Sequence, residues 1–192
     1  GFFPGIVLYL TQWYPAPQRV GARIAQLIGA QPNQVVVCDS TSVNLFKVLV
    51  SALRLRPATS GQPTRRVILG ETGNFPTDMY VAAGVAALMG VELLCVDADA
   101  VEDTIASLGD RLAVITLTEV NYKTGRLHDM RRITSAAHAV GALACWDLAH
   151  SAGTLPVALN ECGADFAVGC GYKYLNGGPG APAFVFVAQR HL

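Results

Sequence analysis

The sequence predicts an α/β fold: a mixed, mostly parallel seven-stranded sheet held between two layers of helices. Three observations predict it. From residue 35 onward, short β-branched runs alternate with longer Ala/Leu segments, the pattern of parallel strands joined by helical crossovers. The 192 residues are 52% hydrophobic but only 8% aromatic, so the apolar excess lies in Ala, Val and Leu, as suits strands buried on both faces. The last two strand-like runs are joined by a Gly/Pro segment with no helix between them, which favours an antiparallel return.

The elements follow in order. Strands are expected at 35–38, 66–70, 91–96, 113–117, 142–146, 166–169 and 183–187. Helices are expected at 43–55, 77–88, 101–107 and 130–140, with a short piece near 158–162. Thr77 and Asp78, just after Pro76, are candidate caps for the second helix. Gly90 and Gly141 fall where helices should stop. Right-handed crossovers then fix the winding.

Composition narrows the function. Fourteen basic residues balance 14 acidic ones, which argues against nucleic-acid or polybasic membrane partners. The longest apolar stretch, 81–91, is far short of the ~20 residues that span a bilayer. The five cysteines, Cys38, Cys95, Cys145, Cys162 and Cys170, contain no C-x-x-C pair, so no metal site is expected. Reduced core cysteines and the lack of a signal-like leader point to the cytoplasm. The length suits one domain, but the chain starts at Gly1 rather than Met and stops directly after a strand-like run. A piece of a longer protein is therefore expected.

In open α/β sheets, ligands gather at the carboxyl ends of strands. Ser40, Thr41 and Ser42 follow the first strand, where hydroxyls and free N–H groups can hold an anion; alone they read as ordinary N-capping. No G-x-x-x-x-G-K-[ST] is present, so a nucleotide P-loop is not supported. Phe75 precedes Pro76 and is biased to an extended backbone; its ring either faces a ligand or tucks onto the core. Thr118, Asn121 and Tyr122 crowd the turn after the fourth strand. Asp147 ends a buried run, with His150 three residues on. A carboxylate there is costly unless it meets a cation or donors, or it serves only as a helix cap. Lys173, one of three lysines, is flanked by Tyr172 and Tyr174 and then by glycines. It is a candidate nucleophile, or an exposed loop lysine. Together, a phosphate site, an aromatic, an Asp and a Lys on one sheet edge match the needs of pyridoxal phosphate.

The segments DSTSVNLFK, GNFPTDMY, VNYKTG, WDLAHSAG and GCGYKYLNGGPGAP resemble the kynureninases, pyridoxal-phosphate enzymes of the aspartate aminotransferase fold type (fold type I). The resemblance covers about 19–192; residues 1–18 match poorly apart from the region of Trp13. It implies the large, cofactor-binding domain of a three-layer α/β/α enzyme, incomplete and without a C-terminal small domain. It implies that Lys173 holds the cofactor covalently, that Asp147 pairs with the ring nitrogen and that Phe75 stacks on the ring. Thr41, Ser42 and Tyr172 would bind the phosphate, and Thr77, Asp78, Thr118 and His150 match further cofactor-site positions. Lys173, Asp147 and Tyr172 would be catalytic.

The implied reaction is hydrolysis of L-kynurenine, or its 3-hydroxy form, to anthranilate, or 3-hydroxyanthranilate, and L-alanine. It would belong to tryptophan catabolism through the kynurenine pathway toward NAD biosynthesis, in a cytoplasmic homodimer. The substrate-carboxylate arginine would lie beyond this chain, so little turnover is expected of it alone. Competing expectations are another fold type I enzyme, such as a cysteine desulfurase or aminotransferase, and a catalytically inactive fragment. A dehydrogenase is disfavoured because no G-x-G-x-x-G follows the first strand.

Overall fold

A computed structural model describes residues 13–55 and 65–192. The segments 1–12 and 56–64 lie outside the described residues, and with them most of the poorly matched N-terminal segment.

In chain order the elements are α1 (Ala16–Leu27), β1 (Val35–Val37), α2 (Thr41–Leu55), β2 (Val67–Glu71), α3 (Pro76–Met89), β3 (Glu92–Val96) and α4 (Val101–Leu108). Then come β4 (Leu112–Thr118), α5 (Met130–Ala139), β5 (Leu143–Asp147), the single turn α6 (Leu159–Cys162), β6 (Phe166–Gly169) and β7 (Phe184–Val187). The seven strands form one sheet in the order β1-β7-β6-β5-β4-β2-β3. β7 runs antiparallel to both of its neighbours, β1 and β6; the other pairings are parallel. The fold class and the single reversed strand therefore match the sequence expectation.

Strand alternation builds two cores, one on each sheet face. Leu69, Ile115, Leu117, Trp146 and Phe186 pack with Ala25 of α1, Ile105 of α4 and Ile133 of α5. Ile68, Val114, Cys145 and Val168 pack with Leu45 and Leu49 of α2 and Val85 of α3. Successive strand residues point to opposite faces, so one apolar run serves both cores. Trp146 is fully buried, and its indole N–H donates to Thr134 Oγ1 at 3.0 Å, which meets its one polar need.

Three details differ from the sequence expectation. α1 was not expected, although Val20, Ile24 and Leu27 recur at helical spacing; its buried residues are the small Gly21 and Ala25. A Cβ on Gly21 would meet the Val35 carbonyl oxygen at 2.2 Å, so glycine lets α1 lie directly on β1. Second, α2 begins at Thr41 rather than 43, because Ser40 Oγ accepts from Val43 N at 3.3 Å and caps it. Third, Thr77 and Asp78 do not cap α3. Phe75 occupies that position with no side-chain cap, Pro76 takes the first turn, and Asp78 is buried. Gly90, at φ 65°, does end α3 in the left-handed conformation.

Among the described residues, no helix is long and apolar enough to cross a membrane, and no group of His, Cys, Asp and Glu could hold a metal ion. All five cysteines are free, two of them buried.

Candidate active site

The carboxyl ends of β1, β2 and β5, with the β6–β7 loop, enclose a cleft of about 570 Å³. The β1–α2 turn contributes Asp39, Ser40, Thr41 and Ser42. The start of α3 contributes Phe75, Thr77 and Asp78. Asp147, Ala149 and His150 follow β5, and Tyr172 and Lys173 come from the β6–β7 loop. The cleft thus gathers nine of the ten residues that the family resemblance assigned to the cofactor site. Thr118 is the exception. It is buried beside the cleft and its hydroxyl donates to Asn74 Oδ1, which also accepts from Phe75 N at 2.7 Å. Thr118 therefore braces the Phe75 turn and does not line the cleft.

The acids are arranged back to back. Asp147 sits at the end of β5, only 5% exposed, and accepts from Ala149 N at 2.9 Å. Asp78, 3% exposed, lies within hydrogen-bonding reach of it. Burial is the main reason both carboxyls are pushed above the usual range. The Asp147 charge raises Asp78 further, while Ala149 N and Lys173 partly offset the rise at Asp147. Two carboxylates cannot both ionise cheaply at such a site, so the pair holds one proton between them.

Lys173 is half-buried above them. Its Nζ donates to His150 Nε2 at 3.0 Å and lies 5.6 Å from the Phe75 ring centroid and 5.9 Å from that of Tyr172. Burial, then the Lys173 charge, lowers the His150 pKa. The neutral imidazole accepts at Nε2, which leaves the proton on Nδ1. That Nδ1 is buried and has no partner among the described residues. Tyr122 stands between the two sides of the cleft, edge-on to Phe75 at 5.3 Å and stacked with His150 at 6.3 Å.

Backbone chemistry holds the lysine segment. Gly177 N donates to Gly171 O and Asn176 N to Lys173 O, closing the loop on itself. Gly153 has φ 87°, and a Cβ there would meet Tyr174 O at 2.8 Å. Only glycine lets the β5 loop approach the lysine segment so closely.

The start of α2 offers groups that can hold an anion. Its first N–H groups have no intrahelical acceptor, and Thr41 and Ser42 add hydroxyls beside them. Asp39 is left-handed at φ 50°, and Lys47 Nζ donates to its carboxylate at 2.5 Å. That hydrogen bond holds the Asp39 carboxyl below its usual range.

Sequence reasoning missed Asp39, Asn74 and a buried support beneath the cleft. In that support His128 Nε2 meets Glu71 Oε2 at 2.7 Å, and Asn121 donates to Gly73 O at 2.8 Å. Asp39 and Asn74 had a faint signal, since each is an Asp or Asn at a strand-to-helix turn. His128 had none, because its partner lies 57 residues away.

Comparison with known proteins places this arrangement. The aminotransferase class-V family matches residues 11–188. A kynureninase of Deinococcus radiodurans is 56% identical over 181 residues, 94% of this chain and 42% of the relative. A kynureninase of Pseudomonas fluorescens is 53% identical over 180 residues, 93% of this chain and 42% of the relative. The chain thus spans about two fifths the length of the curated relatives it matches. Among solved structures, the apo cysteine desulfurase of Thermococcus onnurineus NA1 superposes with TM-score 0.76 at 20% identity, covering 94% of this chain and 45% of that one. The cystine C-S lyase C-DES, in complex with cysteine persulfide, superposes with TM-score 0.77 at 17% identity, over 100% of this chain and 50% of that one. These two likenesses concern the fold; the family match concerns the sequence itself. The chain belongs to the aminotransferase class-V family.

Proposed function

We propose that this chain is part of a pyridoxal-phosphate-dependent hydrolase that cleaves L-kynurenine, or 3-hydroxykynurenine, to anthranilate, or 3-hydroxyanthranilate, and L-alanine. Residues 19–192 form the cofactor-binding part of its large domain. The observation that carries the reading is the Lys173 amine facing a buried acid pair, Asp78 and Asp147, across one cleft. The 50–56% identity to kynureninases over more than nine tenths of the chain supplies the substrate.

The residues fit the cofactor on physical grounds. Two adjacent buried acids, of which one is forced to hold a proton, suit a cationic ring nitrogen better than they suit each other. Phe75, 37% exposed, offers a flat apolar face for the ring. Thr41, Ser42 and the start of α2 suit a phosphate, and Tyr172 lines the same cleft. Bound there, pyridoxal phosphate supplies an aldehyde for the substrate amine and a ring that withdraws electrons from the bonds to be broken.

The chain's own groups do the rest. Lys173 Nζ would hold the cofactor and, once the substrate amine takes its place, would move a proton at the substrate α-carbon. Asp147 would face the ring nitrogen and favour its protonated form, with Asp78 beside it sharing the pair's proton. His150 accepts from Lys173, so it orients the amine, and Thr77 lines the cleft beside Asp78. Within tryptophan catabolism toward NAD biosynthesis, we place the reaction in a cytoplasmic homodimer.

The test is fluorescence of anthranilate after adding L-kynurenine to the intact protein with cofactor. Release of anthranilate and alanine in equal amounts is the expected result. Sulfide release from cysteine, or amino transfer to a keto acid, without kynurenine cleavage would overturn the assignment in favour of another enzyme of this fold.

A further inference from the structure

A carboxylate lining an anion cradle needs an explanation. Asp39 lines the cleft next to Ser40, Thr41 and Ser42, where its charge opposes a bound phosphate. Two facts account for it. The backbone at Asp39 turns through φ 50°, a conformation that among residues with side chains Asp and Asn adopt most readily. The turn is fixed by the neighbouring strand, since Cys38 N donates to Ala183 O and Ala183 N donates to Asp39 O, both at 2.9 Å. The second fact is Lys47, in the second turn of α2, whose Nζ lies 2.5 Å from Asp39 Oδ2.

We infer that the Asp39–Lys47 ion pair is a positioning device for phosphate binding: Asp39 makes the left-handed turn that aims the start of α2 at the cleft, and Lys47 cancels the charge this turn introduces. The inference rests on the proposed cofactor. Lys47 acts through Asp39 and does not touch the ligand. Both side chains are partly exposed, at 55% and 37%, so the pair matters through the charge balance at the cradle more than through stability.

The experiment compares pyridoxal phosphate with pyridoxal, which lacks the phosphate, by equilibrium dialysis against the intact protein. Lys47→Met should weaken pyridoxal phosphate by about fivefold at low salt and leave pyridoxal unchanged. Added salt should shrink the difference. Lys47→Arg should retain the parental ratio. Combining Lys47→Met with Asp39→Asn, which keeps the left-handed turn and removes the charge, should restore it. An unchanged ratio in Lys47→Met overturns the inference, as does equal weakening of both ligands. Failure of Asp39→Asn to rescue also overturns it, because Lys47 would then meet the phosphate directly. If the parent protein binds neither ligand, the cofactor reading itself falls.

Discussion

Two buried aspartates stand at opposite edges of the same sheet. Asp147 closes β5 at the carboxyl edge, while Asp165 precedes β6 at the amino edge. Both side chains are withdrawn from water. Asp165 is saturated: it accepts from Ala144 N at 2.8 Å, from Arg190 at 2.6 Å, and meets His138 and His191 at 2.7 Å each. Burial pushes its carboxyl up, but the two histidines, Ala144 N and Arg190 together outweigh burial and hold it well below the usual range. Asp147 instead faces a second acid, Asp78, and both are pushed up. The fold settles one carboxylate for its own stability and leaves the other pair for a ligand to settle. Buried charge with its partners in place is structure; buried charge without them marks a site.

The largest expected effect falls at the site edge. Lys173→Ala should reduce kynurenine cleavage to background, and borohydride should fix no cofactor to the chain. Stability should change little, because the lysine is only half-buried. Borohydride labelling at another lysine would break the comparison at its first point.

The next test sets the two edges against each other by sign. Asp165→Asn should lower stability by about 3 kcal/mol, since it strips a buried anion from its partners. Asp78→Asn should leave the cofactor-free protein as stable or more stable at neutral pH. Urea unfolding of both variants checks this, and equal losses would erase the distinction.

Acid sharpens the same contrast. The Asp165 carboxyl is depressed in the native state, so its contribution is present above the ordinary carboxylate pKa of about 4 and is lost as pH falls through its lower native value. The Asp78 and Asp147 carboxyls are raised. Their contribution is present below about pH 4 and is lost as pH rises through the native values. Stability measured from pH 3 to 8 should therefore fall with acid less steeply in Asp165→Asn than in the parent. In Asp78→Asn it should improve relative to the parent as pH rises. Parallel curves for all three proteins would contradict both assignments.

Smaller effects come from the backbone at the site edge. Gly153→Ala places a Cβ against Tyr174 O and forces φ 87° on alanine. Displacing the Lys173 segment should weaken cofactor binding by about tenfold, roughly the 1–2 kcal/mol that a left-handed alanine costs. Dialysis of the variant measures it. Ser40→Ala removes the bond from Val43 N and should cost about 1 kcal/mol in thermal or urea unfolding.

Much of this was legible in the chain. The strand and helix order, the reversed last strand and the placing of Lys173 and Asp147 at one sheet edge needed only local texture and the rule that ligands gather at strand ends; the roles proposed for them came from the family resemblance. α1 was legible and was missed: Val20, Ile24 and Leu27 recur at helical spacing. Thr118 entered as a site residue only through the family resemblance. Only the packed structure shows it turned to Asn74, 44 residues away.

The sequence by itself determined which segments become strands and helices, and which polar residues end the strands, because both depend on periodicity and on neighbours a few residues apart. Only the tertiary structure decided the strand order, the pairing of Asp78 with Asp147, and the capture of Asp165 by His138, Arg190 and His191. Those partners are far apart along the chain. Their meeting depends on where each crossover sets its strand in the sheet, and no local pattern of residues encodes that.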